Sequence, residues 1–81
     1  MQCFVYRSPR KGNTYLYVLK KNEFSDVPRG LMKLFGKPEF ALEFELTPER
    51  KLAAADALEV LKNLSEQGFH LQMPAENEFS I

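Results

Sequence analysis

The stretch EFALEFEL, residues 39–46, does more than any other to limit what this chain can become. Phe40, Leu42, Phe44 and Leu46 recur at every second position, with Glu39, Ala41, Glu43 and Glu45 between them. Successive side chains of a strand point to opposite sides of its sheet, so the pattern predicts a strand with one buried face and one acidic, solvated face. A strand needs partners, and a chain of 81 residues has little material to supply them. A domain of this size buries only about 60% of the surface its unfolded chain exposes, so the sheet has to be covered economically.

Two further strands precede this one. QCFVYR (2–7) and TYLYVL (14–19) are rich in aromatic and β-branched residues, and the link SPRKGN carries Pro9 and a Gly12-Asn13 turn signal, which together read as a β-hairpin with an extended loop. Leu16 and Val18 face one way, and Tyr15, Tyr17 and Leu19 the other, so both sides of the sheet are expected to be covered. FHLQM (69–73) reads as a closing strand with Phe69, Leu71 and Met73 on one face and His70 and Gln72 on the other; Pro74 ends it.

Two helices are expected between the strands. SDVPRGLMKLFG predicts a short one over about 27–35, with Ser25 or Asp26 as cap, Pro28 in the first turn and Gly36 as the stop. Val27, Leu31, Leu34 and Phe35 would dock it and Met32 would face outward. TPER predicts the start of a longer one, with Thr47 as N-cap and Pro48 at the first helical position, running to about residue 67. Ala53, Ala57, Val60, Leu61 and Leu64 form its apolar stripe, with Asp56, Glu59, Asn63 and Glu66 opposite; Leu52 falls on the polar side without a reason. The order is ββαβαβ, a single α+β domain over 1–74, with its helices on opposite faces of a mostly antiparallel or mixed sheet. Residues 75–81, AENEFSI, read as a flexible acidic tail with Phe79 and Ile81 as docking points.

Composition excludes several classes of protein. No apolar run approaches the ~20 residues of a membrane helix, and the N-terminus lacks the charged and apolar segments of a secretory signal, so a cytoplasmic protein is expected. The single cysteine, Cys3, fits a reducing compartment and a small buried hydrophobe. One histidine, His70, and one thiol do not make a nucleophile with an oriented base, and there is no Cys or His pair for a metal. The four glycines are scattered and form no phosphate-binding loop. No catalytic residue, metal or cofactor is assigned.

The most informative number is hidden in a net charge of zero. Residues 1–38 carry eight basic and two acidic side chains, a net of +6, and residues 39–81 carry three basic and nine acidic, a net of −6. Such asymmetry suits electrostatic pairing with a protein partner or with a second copy of the chain. It also suits an anionic ligand. Tyr6, Arg7, Arg10, Lys11, Tyr15, Tyr17, Lys20 and Lys21 bring aromatic rings and cations to one hairpin, the residue types that stack bases and neutralise phosphates in single-stranded nucleic acid.

The segments VYRS, TYLYV, FSDVPRGLMKLFGKP and LSEQGFHLQMP, in that order and spacing, resemble the YcgL domain family of small bacterial proteins. The resemblance covers nearly the whole chain and implies a compact α/β/α sandwich residing in the bacterial cytoplasm. It carries no reaction and no catalytic positions. The leading expectation is therefore a non-enzymatic protein-interaction module; the alternative is binding of single-stranded RNA or a phosphate ligand through the basic, tyrosine-rich hairpin.

Overall fold

The computed structural model describes residues 1–52 and 56–73. Four strands form one antiparallel sheet in the order β3-β1-β2-β4: β1 is Gln2–Arg7, β2 Tyr15–Val18, β3 Glu39–Glu45 and β4 Phe69–Gln72. Helix α1, Arg29–Phe35, lies on one face and α2, Ala57–Gln67, on the other. This is the expected ββαβαβ order, an α+β fold with a core on each side of the sheet. The expected tail, with Phe79 and Ile81, and Ala53 of the helical stripe lie outside the described residues.

Strand alternation sorts the side chains between the cores. Cys3, Val5 and Tyr17 face α2 and pack with Leu46, Ala57, Val60 and Leu64. Tyr6, Leu16 and Val18 face α1 and pack with Val27 and Phe35. The central strands β1 and β2 are thus buried on both faces, as the apolar residues at successive positions required.

The strand that opened the sequence reading departs from it. β3 is an edge strand, exposed at nearly every position. Val5 pairs with Leu42 but Tyr6 with Phe40, so Ala41 is an extra residue and the register shifts there. Such a bulge turns the side chains beyond it to the other face. Leu42 and Phe44 stay with the α2 face, whereas Phe40 crosses to the α1 face, its ring centroid 5.6 Å from that of Tyr6. The glutamates are not a free row either: Arg7 pairs with Glu39, Gln2 donates to Glu43, and the Met1 amino group pairs with Glu45.

Both helices start later than expected. Thr47 closes a turn in which the Arg50 N–H donates to its carbonyl, and α2 begins only after Asp56, whose carboxylate accepts from the Leu58 N–H. Asp56 is thus the cap rather than a member of the polar face, and Leu52, left before the helix, packs against the α2-side core. Pro28 is the N-cap of α1 and no side chain caps that helix; neither Ser25 nor Asp26 does so. Leu31, Met32 and Phe35 form its inner side. At about 100° per residue, Leu34 then falls well to the side of that stripe, and it is 60% exposed while Met32 packs inward.

Candidate functional site

Ser8, immediately after β1, organises the hairpin loop. Its buried hydroxyl donates to the Phe35 carbonyl at 2.6 Å and accepts from the backbone N–H groups of Lys11 and Arg10 at 2.9 and 3.2 Å. The Ser8 N–H donates to the Thr14 carbonyl, and Asn13 takes the left-handed conformation the turn requires. The loop is thereby tied to the last residue of α1.

This tie brings cations together that the sequence keeps apart. Gly36, at φ 87°, ends α1, and a Cβ on it would lie 2.9 Å from Arg10 Cγ, so the arginine stem lies against the bare backbone there. Arg10 and Lys11 therefore sit beside the end of α1, whose last turn carries Lys33 and which Lys37 follows. All four are exposed, and neither ion pair found among the described residues uses them.

Between this loop, α1 and β4 lies a groove of about 210 Å³. Leu31, Leu34, Phe35, Leu71 and Met73 supply its apolar wall, and Lys11 stands at its margin. Leu34 and Met73 are 60% and 46% exposed, an unusual degree for large apolar side chains in one place.

The eight residues singled out in the hairpin do not form one surface. Tyr6 is buried, its hydroxyl donating to Asn22 Oδ1 and accepting from the Asn22 N–H at 2.7 Å, with Phe24 set edge-on to its ring. Tyr17 is buried on the opposite face and donates to Gln72 Oε1 at 2.9 Å. Tyr15 is half-buried on that same face. Arg7 is exposed but paired with Glu39. Lys20 and Lys21 follow β2 at the far end from the loop, and the Lys21 ammonium lies 4.7 Å from the Phe40 ring centroid. Tyr15 and Tyr17 share the α2 face, whereas Arg10 and Lys11 join the end of α1 near Leu34, Met73 and the Gly36-Lys37 backbone, residues that the hairpin reading leaves out. The mixed run LMKLFGK was the available signal.

The groups considered for catalysis are buried. Burial pushes the Cys3 thiol up to about 11, so it is a protonated core side chain near neutral pH. His70 is buried, set edge-on to Tyr17, and its Nδ1 meets the Asn63 amide at 2.9 Å, so the ring accepts there and carries its proton on Nε2. Burial holds it below its usual protonation range. Among the described residues, no three carboxylate, thiol or imidazole groups gather in a metal-binding cluster, and no helix is long and apolar enough to cross a membrane.

Residues 3–75 match the sequence profile of the YcgL domain. The chain belongs to the YcgL domain family. A YcgL domain-containing protein of Thioalkalivibrio sulfidiphilus is 56% identical over 78 residues, covering 96% of each chain. Another, from Pseudomonas putida (strain GB-1), is 54% identical over 95% of this chain and 80% of its own length. One from Azotobacter vinelandii is 51% identical over 94% and 78%. The likeness to this bacterial family thus extends over the whole sheet and both helices of the present YcgL domain.

Proposed function

We propose that this YcgL domain is a non-enzymatic protein-interaction module of the bacterial cytoplasm. It takes an acidic segment with apolar anchors into the groove between the hairpin loop, α1 and β4. The observation that carries this reading is the coincidence of exposed Leu34 and Met73 with Arg10, Lys11, Lys33 and Lys37 around one end of α1. Apolar anchors in a groove supply affinity, while a rim of one charge steers and selects the partner. The free buried thiol of Cys3 fits a reducing compartment.

The RNA reading keeps its cations and loses most of its rings. Tyr6 and Tyr17 are buried on opposite faces, and a stacked base needs an open aromatic face. A phosphate chain could still follow the rim, so the test includes both ligands.

The test is a ¹⁵N NMR titration of the domain with an eight-residue peptide of alternating glutamate and leucine, and separately with a single-stranded oligouridine. The proposal expects the peptide to move the amides of Lys11, Leu34 and Met73, and Leu34→Asp to abolish the effect. Oligouridine binding that weakens steeply with salt, with no response to the peptide, would replace this reading with the nucleic-acid one.

A further inference from the structure

The α2 face carries a second concavity, independent of the groove. It measures about 290 Å³, near the lower end for small-molecule sites, and its apolar wall is formed by Val5, Tyr15, Leu42, Phe44 and Leu52. Its existence follows from two local departures from regularity. The bulge at Ala41 leaves Leu42 and Phe44 on this face while sending Phe40 to the other. Because α2 begins only at Ala57, its apolar stripe covers Cys3 and Val5, and the chain before it passes Arg50, Lys51 and Leu52 along the cavity instead.

Two cations, an amide and the tyrosines Tyr15 and Tyr17 bring polar groups to this wall. The guanidinium carbon of Arg50 lies 4.4 Å from the Phe44 ring centroid, which holds the side chain at the cavity without using its N–H donors. None of those donors has a partner among the described residues, and neither ion pair there involves Arg50 or Lys51. Gln72 also lines the cavity; its Oε1 accepts from the Tyr17 hydroxyl, so its N–H₂ end is left to donate.

We propose that this cavity binds a small organic acid, an apolar or aromatic body inserted against Leu42, Phe44 and Leu52 with its carboxylate on Arg50 and Lys51. A guanidinium fork matches a carboxylate in geometry and charge, and the wall offers donors with no carboxylate of its own. The occupant is therefore an anion, and the small volume limits it to a single ring or a branched chain.

The test is an NMR titration of the full chain with 4-phenylbutyrate and with the neutral 4-phenylbutanol. The expected result is saturable movement of the Leu42, Phe44, Lys51 and Leu52 amides by the acid, with the alcohol weaker by about tenfold or more. Arg50→Gln brings the acid down to the level of the alcohol while leaving the thermal midpoint in place, since the side chain is exposed. Equal response to acid and alcohol, or movement of Leu34 and Met73 instead, overturns the proposal. So does movement of the cavity amides with protein concentration alone, which would assign this face to a second copy. Movement caused by Phe79→Ala without ligand would assign it to the chain's own residues 75–81 and equally overturn it.

Discussion

The two faces of the sheet are covered by helices of different character. Helix α2 is 11 residues long, opens on a side-chain cap from Asp56 and closes on Gly68 in the left-handed conformation. Helix α1 has seven residues, includes Gly30 and has no side-chain cap. Isolated helices that short are unstable in water, so α1 exists through its tertiary contacts. Those contacts are specific: Ser8 on the Phe35 carbonyl, Phe35 in the core, and the preceding loop pinned by Tyr6 on Asn22. One face is covered by a helix with its own end signals, the other by a segment the sheet holds down. The proposed interaction groove lies on the second.

The largest test of this contrast is truncation of one buried anchor on each face. Phe35→Ala is expected to cost about 3–5 kcal/mol and Leu64→Ala about 2–5. In a domain whose total stability is on the order of 5–10 kcal/mol, either is severe. The difference lies in what survives. Phe35→Ala releases α1 and collapses the groove while β1, β2 and α2 stay paired, whereas Leu64→Ala weakens the whole sheet. Urea midpoints, with hydrogen exchange resolved by residue, check this; uniform loss of protection in both variants would mean that the faces are a single cooperative unit.

A smaller change compares the two buried tyrosines. Tyr6→Phe removes two hydrogen bonds, one to the Asn22 side chain and one from its N–H, and is expected to cost about 1–3 kcal/mol. Tyr17→Phe removes a bond to the part-buried Gln72 side chain, which can turn to water, so about 0.5–1.5 kcal/mol is expected. If the order is reversed in denaturation experiments, the loop before α1 is not held by Tyr6.

How much of this was legible beforehand follows the range of the interactions. The facing of β2 and β4 was readable because a period of two is a local property, and the stripe Val60, Leu61 and Leu64 because helical spacing is too. The bulge was not: Ala41 is no turn residue, and the unbroken alternation around it signals the opposite. The start of α2 was misread because Thr47-Pro48-Glu49 carries every mark of a helix opening, while Asp56, an equally good cap, was assigned to the polar face. The candidate site fared worst. That Tyr6 is covered, and that Arg10 lies against Gly36 at the end of α1, depends on contacts of residues 8 and 6 with residues 35 and 22, which no spacing encodes.

Acid separates the faces by a gentler slope. His70, on the α2 face, is neutral in the fold because burial lowers its pKa below the ordinary 6.5. The unfolded chain therefore takes up the proton first as pH falls. The contribution of the neutral ring is complete above 6.5 and declines as pH drops below it toward the folded value. Urea midpoints between about pH 7 and 5.5 should fall with acid, and His70→Gln should flatten that slope. An unchanged slope in the variant would place the titrating group elsewhere.

The smallest effect concerns the edge strand both faces share. Arg7 and Glu39 pair at the end of β3 beyond the bulge, with side chains 61% and 51% exposed. Exposed pairs contribute little, so Arg7→Ala is expected to shift stability by less than about 0.5 kcal/mol. The bulged end is instead held by Phe40, which has crossed to the α1 face to meet Tyr6 under the Lys21 ammonium. Phe40→Ala should therefore exceed Arg7→Ala in denaturation midpoint, even though Phe40 is 46% exposed. If Arg7→Ala proves the costlier of the two, charge rather than the aromatic crossing anchors the edge, and the α1 face loses its claim to the end of β3.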